Sequence, residues 1–361
     1  MKEPRTSLCA MAVACLCVSC ADLDPDPAAE GLAETTSSPP ESAVDACIVE
    51  ADAEALCGPQ NAEDLLRLGE SRWLLASGMN GALFGSDVPG TLHLIDHETR
   101  TYEELFPSDA PVFRELDARF ANCPGPVDAG NMSFHGLALR ETAQNEYELY
   151  VTSHGAREAI EVFAVDASAA PTVEWIGCVP MPSDSFTNSV VILNDGGFFA
   201  TKFMDPVAGI ESVYTGGITG HVFEWHPGSE VEIVPGTELS GANGIEISED
   251  ERWLYVAAFG QSALVRFDLS TRPVAKETLA LGVVPDNVRW SPQGTLLTAG
   301  ARGEGAGWAV VEVDPQAWTA REIAGVDAEV EGLADASVAL AVGEEIWVGS
   351  YNGDRLIILQ N

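Results

Sequence analysis

The sequence predicts an all-β fold, a six-bladed β-propeller, from three features. A polar pair recurs about every 50 residues, an apolar strand follows each pair, and helical periodicity is almost absent. A sixth apolar run opens at Ala336-Ser337-Val338 without such a pair. Equivalent positions of units repeated around an axis face that axis, so we expect the pairs to meet around a central channel. The five pairs are Glu63-Asp64, His135-Gly136, Asn188-Ser189, Asn243-Gly244 and Asp286-Asn287.

Each unit continues with a turn and then two further strands. Turn residues such as Asn194-Asp195-Gly196-Gly197 separate the strands. Third strands alternate strictly between apolar and polar residues, which is the period of half-buried sheet. They are clearest at 160–163, 264–268, 309–314 and 356–359. The second strands fall at 73–76, 149–152, 198–201, 253–256, 296–299 and 346–349.

The sixth unit lacks an outer fourth strand, because the chain ends directly after its third strand. We expect the segment before Glu63 to supply that strand and to close the ring. The propeller is therefore predicted to span residues 47–361. A large β-sandwich with irregular hairpins is the alternative fold, but it gives no reason for the polar pair to recur.

The first 46 residues predict export rather than folding. Lys2 and Arg5 precede an apolar run at 8–18, which is too short to span a membrane and is typical of a secretory signal at 1–20. Cys20 then predicts a bacterial lipoprotein, attached to the membrane only through a lipid on this residue; ordinary cleavage nearby and secretion are the alternative. Residues 21–46 are rich in Asp, Pro, Ser and Ala, which predicts a disordered linker.

Cysteine usage agrees with export. Beyond the signal, Cys47, Cys57, Cys123 and Cys178 form an even set, as expected in an oxidising compartment. Three pairings are possible, and we favour Cys47 with Cys57 and Cys123 with Cys178. None of the four lies in a Cys/His cluster, so a catalytic thiol is not expected.

The formal charge of -38, with lysine only at positions 2, 202 and 276, predicts a strongly acidic surface. Such a surface excludes nucleic acid as a partner. We expect a monomer that acts on a small molecule.

The recurring pairs also predict a metal site. Glu63, Asn188, Asn243, Asp286 and Asn287 offer two carboxylates and three amide oxygens from four units. More than four hard oxygen ligands of mixed charge suit Ca²⁺, whereas Zn²⁺ favours His or Cys and Mg²⁺ keeps several waters. Each pair taken alone is more often a turn, so the prediction rests on their recurrence in register.

Over about residues 58–361 the chain resembles the paraoxonases, which are arylesterases and lactonases among the gluconolactonase-like six-bladed propellers. The segment 242–245 alone is common to many propellers, but the ordered set of matching segments is specific. That set is Ala62-Glu63-Asp64-Leu65, Phe134-His135-Gly136-Leu137, Leu149-Tyr150-Val151 with Ser153-His154, Asn188, Ala242-Asn243-Gly244-Ile245 with Ser248, Asp286-Asn287-Val288 and Ala336-Ser337-Val338.

The resemblance implies two calcium ions in the channel. The catalytic ion would use the five ligands already named. A second, structural ion would use Asp64, the carbonyl of Leu137 and a carboxylate next to Asn188. Because that last position is Ser189 in this chain, the presence of the second ion is left open.

The resemblance further implies catalytic roles for His135 and His154. The first would act as general base toward water and the second would assist it, a role that is disputed in favour of metal-bound carboxylates. An unperturbed histidine pKa near 6.5 suits this task. Where the family has an acidic residue, this chain has Lys202-Phe203, so His154 is expected to lack a carboxylate partner unless Asp205 replaces it.

The family's disulfide from the N-terminal strand to the C-terminus cannot form, because no cysteine follows Cys178. The remaining histidines, at 93, 97, 221 and 226, are assigned to third strands or turn surfaces without a role.

These observations predict a calcium-dependent exported hydrolase of lactones or aryl esters. A sugar lactonase with a more polar pocket is one alternative. A non-catalytic binding propeller with calcium as a structural ion is another. The long insert 96–131 is expected to form either a cap over the channel or a partner surface.

Overall fold

Six β-sheets, antiparallel except for one short parallel strand, follow one another along the chain as the blades of a propeller. The computed structural model describes residues 53–81, 88–303, 307–327, 333 and 335–360. The predicted signal at 1–20 and linker at 21–46 lie outside these residues. The predicted six-bladed β-propeller is confirmed.

The strands are numbered here in chain order, and the blades in the order of their first strands. The first half comprises β1 (Glu54–Cys57), β2 (Ala62–Arg67), β3 (Trp73–Gly78), β4 (Thr91–Asp96), β5 (Thr101–Phe106), β6 (Val112–Phe113), β7 (Met132–Ala143), β8 (Glu146–Gly155), β9 (Ala159–Asp166), β10 (Thr172–Pro180), β11 (Thr187–Ile192), β12 (Phe198–Lys202) and β13 (His221–Trp225). The second half comprises β14 (Glu232–Ile233), β15 (Ala242–Ile247), β16 (Trp253–Ala258), β17 (Ala263–Asp268), β18 (Ala275–Ala280), β19 (Val284–Trp290), β20 (Leu296–Ala301), β21 (Trp308–Asp314), β22 (Thr319–Val326), β23 (Ala336–Val342), β24 (Glu345–Ser350) and β25 (Arg355–Gln360).

Helices are minor features of the described chain. They are α1 (Glu211–Tyr214) and the 3-10 turns Ala118–Phe120, Ala129–Asn131 and Phe259–Gln261. No helix in the described part of the chain has the length and apolar character needed to cross a membrane.

The first strands of the blades, β2, β7, β11, β15, β19 and β23, contact one another in a closed ring. The ring closes through β1, which pairs antiparallel with β25 and places Glu54 opposite Ile358. The predicted fourth strand of the sixth blade is therefore confirmed, and it removes the open edge that β25 would otherwise expose.

The insert 96–131 is not a cap over the channel. Its first part is β5, the outer strand of blade one, and its short β6 adds in parallel to β10 at the outer edge of blade two. Phe120 is buried within the insert and stacks on Trp225. The predicted disulfide Cys123–Cys178, confirmed in the structure, joins the insert to β10. Cys57 is also disulfide-bonded, and its predicted partner at position 47 lies outside the described residues.

A β-bulge interrupts the first strand of every blade where the sequence has its recurring pair, or the equivalent residue in blade six. In blades two to five the two residues of the pair oppose a single residue of the second strand. In blades one and six, Glu63 and Ser337 are the extra residues. A bulge bends the strand and re-aims its side chains. The bulge residues are therefore unpaired in the sheet. The recurring pairs of the sequence thus mark bulges within strands rather than turns.

Two of the bulges require glycine because the neighbouring blade lies very close. A Cβ on Gly136 would lie 2.6 Å from the carbonyl oxygen of Asn188, and a Cβ on Gly244 would lie 2.6 Å from that of Asp286. The His-Gly and Asn-Gly pairs thus let adjacent first strands approach at the axis.

Candidate metal and catalytic centre

Four of the five predicted calcium ligands lie on the wall of a cavity of about 1090 Å³ that opens at the start of the first strands. They are Glu63, Asn188, Asn243 and Asp286, and Asn287 lies directly behind them with no exposed surface. The structure therefore brings together residues from blades one, three, four and five.

Each of these five side chains has one buried oxygen without a hydrogen-bond partner in the described structure. Buried oxygens are costly to leave unpaired, so a group of them at one cavity suits a bound cation. The five atoms are Glu63 Oε2, Asn188 Oδ1, Asn243 Oδ1, Asp286 Oδ1 and Asn287 Oδ1.

Hydrogen bonds explain why the amide oxygens are the free atoms. Asn287 Nδ2 donates to the main-chain oxygen of Glu63 at 3.1 Å and to its Oε1 at 2.6 Å. Asn188 Nδ2 donates to His135 Nε2 at 3.2 Å. A side-chain hydrogen bond from Asn243 reaches Asp286. With their NH₂ groups engaged, the amides present oxygen to the site.

Hydroxyl groups hold the backbone of three ligands in place. Thr152 donates to the carbonyl of Asn188 at 2.7 Å, and Thr201 donates to that of Asn243 at 2.7 Å. Ser337 donates to the carbonyl of Glu63 at 2.6 Å. Each hydroxyl belongs to the preceding blade of the ring, so neighbouring blades fix one another's ligands.

The surroundings of the two carboxylates of the site, Glu63 and Asp286, disfavour their charged forms. Burial, reinforced by the charge of Asp64, raises the pKa of Glu63 well above its ordinary value. Burial, reinforced by the charge of Glu63, does the same to the pKa of Asp286. A divalent cation would stabilise both charged forms.

The donor set fits calcium. The described residues contain no cluster of three or more His, Cys, Asp or Glu side chains able to hold a metal. A donor set of two carboxylates and three amide oxygens is common for Ca²⁺ and unusual for Zn²⁺.

A hydrogen-bonded chain of three side chains borders this cluster. Glu158 Oε1 lies 2.6 Å from His154 Nδ1, and His154 Nε2 lies 3.0 Å from His135 Nδ1. Because a carboxylate only accepts, the chain fixes one tautomer: His154 donates to Glu158, and His135 donates to His154. His135 Nε2 is left with its lone pair at the cavity, 3.5 Å from Glu63 Oε1.

The pKa of His135 lies below the ordinary histidine value near 6.5. Burial lowers the pKa of His135 to about 4, against the opposing charges of Asp64 and Glu158. The ring is therefore neutral at pH 7 and able to accept a proton, but it is a weaker base than an exposed histidine.

The carboxylate partner of His154 is Glu158 and not Asp205. Asp205 accepts from the backbone N–H of Val207 within its own loop. Glu158 Oε2 in turn accepts from Thr187 N at 3.1 Å, which anchors it to β11. In the sequence, Glu158 could have been found from its position four residues after His154, in the short turn between β8 and β9.

Asp64 and Leu137, the residues named for a second ion, face a guanidinium in this structure. Arg289 donates to Asp64 through Nε and Nη2, and to the carbonyl of Leu137 through Nη2 at 2.9 Å. The role of these two residues as metal ligands stays a prediction.

Aromatic and aliphatic side chains form most of the cavity wall above the oxygen cluster. Phe186 stacks on His154 with ring centroids 4.7 Å apart, which holds the imidazole at the wall. Tyr351 and Asp335 form a polar pair on this wall at 3.2 Å. The apolar lining includes Met79, Phe186, Phe203, Met204, Ile210, Phe259, Trp308 and Leu333.

A family model for arylesterases matches residues 63–327, which is most of the chain. The chain belongs to the arylesterase family. The resemblance to paraoxonase-type arylesterases is thereby confirmed. A comparison with curated protein sequences gave no match.

Solved structures similar to this arylesterase-family chain share its fold at low identity. A luciferin-regenerating enzyme aligns with TM-score 0.54 and 13% identity over 85% of this chain and 95% of its own. A gluconolactonase from Xanthomonas campestris aligns with TM-score 0.53 and 18% identity over 85% and 89%. A putative gluconolactonase aligns with TM-score 0.50 and 17% identity over 87% and 94%. At these identities the likeness shows the fold alone.

Proposed function

We propose that this arylesterase-family chain is a calcium-dependent hydrolase of lactones or aryl esters. The observation that carries the proposal is the group of five unpartnered buried oxygens beside the Glu158–His154–His135 chain. Family membership supports the ester-hydrolase class.

Calcium held by Glu63, Asn188, Asn243, Asp286 and Asn287 would polarise the substrate carbonyl and stabilise negative charge on its oxygen. The chain's own residues supply the proton transfer. His135 Nε2 takes a proton from a water whose oxygen bonds to the carbonyl carbon. The ester C–O bond breaks, and His135 returns the proton to the leaving alkoxide or phenoxide.

The water must take the place of an existing hydrogen bond at His135 Nε2. Asn188 Nδ2 donates to this atom at 3.2 Å, which is at the long end of the normal range. His154 and Glu158 orient the ring by the tautomer that they impose. The stacked ring of Phe186 excludes bulk water from the imidazole pair.

The cavity wall favours apolar substrates over sugar lactones. Burying each methylene contributes about 0.8 kcal/mol, or about fourfold in kcat/KM, as long as the wall accommodates it. We expect kcat/KM to rise along a series of lactones of increasing alkyl length.

The test is a substrate panel of aryl esters, alkyl lactones and sugar lactones, each measured in excess calcium and after chelation. We expect aryl ester or alkyl lactone activity that chelation abolishes. Asp286→Asn should raise the calcium concentration required, and His135→Gln should lower kcat. Asp184→Asn is the matched control, because its side chain is 66% exposed on the loop before β11.

The opposite outcomes distinguish the alternatives. Preference for a sugar lactone would favour the sugar lactonase. A calcium-dependent rise in melting temperature without any turnover would favour the non-catalytic propeller. Full activity after complete removal of calcium would contradict the proposed mechanism.

We also propose that the chain is exported and anchored through a lipid on Cys20. The disulfide Cys123–Cys178 supports an oxidising compartment. Membrane fractionation of the full chain and of a Cys20→Ser variant tests the anchor. Release of the variant, but not of the parent, is expected, and equal release of both would contradict the anchor.

A further inference from the structure

A buried arginine lies at the far end of the first strands from the candidate calcium site. Arg289, on β19, has 4% of its surface exposed and borders a second cavity of about 470 Å³. Buried guanidinium groups are rare unless they are paired and fully hydrogen-bonded.

Every nitrogen of the Arg289 guanidinium has an acceptor. Nε donates to Asp64 Oδ1 at 3.1 Å and to the Leu65 carbonyl at 3.1 Å. Nη1 donates to Glu246 Oε1 at 3.2 Å and to the Val288 carbonyl at 3.3 Å. Nη2 donates to Asp64 Oδ2 and, at 2.9 Å, to the Leu137 carbonyl.

Apart from the Val288 carbonyl on its own strand, the acceptors come from blades one, two and four, and Arg289 itself comes from blade five. One side chain thus joins first strands on opposite sides of the ring. The acceptor set consists of two carboxylates and main-chain carbonyls. Oxygen donors of this kind are those that bind a hard divalent cation.

Asp64 has no further capacity to bind a metal. Its Oδ1 accepts from Leu65 N and Arg289 Nε, and its Oδ2 accepts from Leu137 N and Arg289 Nη2. A carboxylate offers about four lone-pair positions, and all four are in use. The Leu137 carbonyl also bonds the guanidinium. These residues therefore do not fit a second metal ion while Arg289 is present.

We propose that the guanidinium of Arg289 takes the place of a second cation in the channel. The chain then binds one calcium ion, and this end of the propeller is held by an internal charge that no chelator removes. Removing the side chain would leave Asp64, Glu246 and three main-chain carbonyls facing a space that a divalent cation can fill. This inference does not depend on hydrolytic activity.

The decisive experiment uses a background in which the first site is disabled by Glu63→Gln and Asp286→Asn. In this background we expect the melting temperature to be the same in calcium and in chelator. Adding Arg289→Ala should lower the melting temperature in chelator on the order of 10 °C, because the buried Asp64 and the partly buried Glu246 lose their partner. Millimolar calcium should then restore most of the loss.

Further variants keep the outcome specific. Arg289→Lys retains the charge, so its melting temperature should fall less and should not respond to calcium. Arg266→Ala removes an arginine that is also largely buried but is paired with the exposed Glu277 far from Asp64, and it should give no calcium response. An Arg289→Ala protein that calcium does not stabilise would overturn the proposal.

The unmodified chain gives an independent answer if no Arg289 variant can be purified. Equilibrium dialysis with calcium should find one bound ion per chain. Two ions per chain would overturn this inference while leaving the proposed hydrolase intact. One bound ion without any ester or lactone turnover would contradict the hydrolase while supporting the role of Arg289.

Discussion

Replacing Glu158 by glutamine should disable the proposed base without touching the calcium ligands. Glu158 accepts two N–H groups, from His154 Nδ1 at 2.6 Å and from Thr187 N at 3.1 Å. Glutamine has one amide oxygen and one NH₂ group for these two contacts. The backbone N–H of Thr187 cannot change its role, so the amide oxygen stays there and the NH₂ group faces His154.

The substitution should change the tautomer of both histidines, His154 and His135. His154 Nδ1 must now accept, so its proton moves to Nε2, which donates to His135 Nδ1. His135 in turn carries its proton on Nε2, where the lone pair was. Loss of a positioned general base costs about 10² to 10⁴ in rate, which corresponds to about 3 to 5 kcal/mol of the barrier. We expect Glu158→Gln to lower kcat by at least about 10²-fold.

The assay compares kcat and KM of Glu158→Gln with those of the parent at saturating calcium. KM should be unchanged because Glu158 does not line the cavity. Calcium affinity and melting temperature should change by much less than kcat, because Glu158 is not one of the predicted ligands and Asn188 loses only its 3.2 Å hydrogen bond to His135 Nε2. The ¹⁵N shifts of His135 and His154 report the tautomers directly and should exchange protonated and unprotonated positions.

Two results would refute this reasoning. A kcat within threefold of the parent would mean that His135 does not act through His154 and Glu158. A lower kcat accompanied by an equal loss of calcium affinity would mean that Glu158 has only a structural role. Asp184→Asn, which removes a nearby exposed charge, should leave all five of these measurements unchanged.

Three further predictions concern ligand positioning and stability. Thr201→Val removes the donor to the Asn243 carbonyl and should weaken calcium binding by about five- to tenfold, since a net hydrogen bond contributes about 1 kcal/mol; an unchanged titration would contradict this role. Burial lowers the pKa of His93 to about 4, below its unfolded value near 6.5, so its contribution is complete above pH 6.5 and is lost as the pH falls toward 4. The unfolding free energies of the parent and of His93→Gln should therefore converge by about 3 kcal/mol between pH 7 and pH 4, as measured by urea denaturation. Cys123→Ser with Cys178→Ser opens a loop whose ends are 55 residues apart and should cost about 4 kcal/mol of stability. A reducing agent should lower the stability of the parent by more than that of the variant, which still holds the disulfide of Cys57.

The ring of blades could be predicted because the bulged pairs recur in register, and the closing strand followed from a missing outer strand. The five residues predicted as calcium ligands could be singled out for the same reason, since each one is a bulge residue of a first strand. Glu158 and Arg289 could not be found in this way. Glu158 lies in a loop outside the repeat, and Arg289 is two residues beyond its bulge, where the pattern predicted only an apolar strand.

The burial of His93 could not be predicted from the alternation of apolar and polar residues either. The sequence placed it on a third-strand or turn surface, but in β4 it has 1% of its surface exposed and bonds Thr91 Oγ1 at 2.9 Å. Alternation assigns a residue to one face of a sheet. It does not tell whether a neighbouring blade covers that face.

The placement of the recurring residues in bulges separates the chemistry of the axis from the architecture of the sheets. A bulge residue has no partner in the strand pairing, so exchanging its side chain leaves the register of its blade intact. The side chains at the six bulges can therefore be exchanged while the backbone of the blades stays the same. Different ions or substrates could be accommodated by changing a handful of side chains, provided that the close-approach glycines are kept.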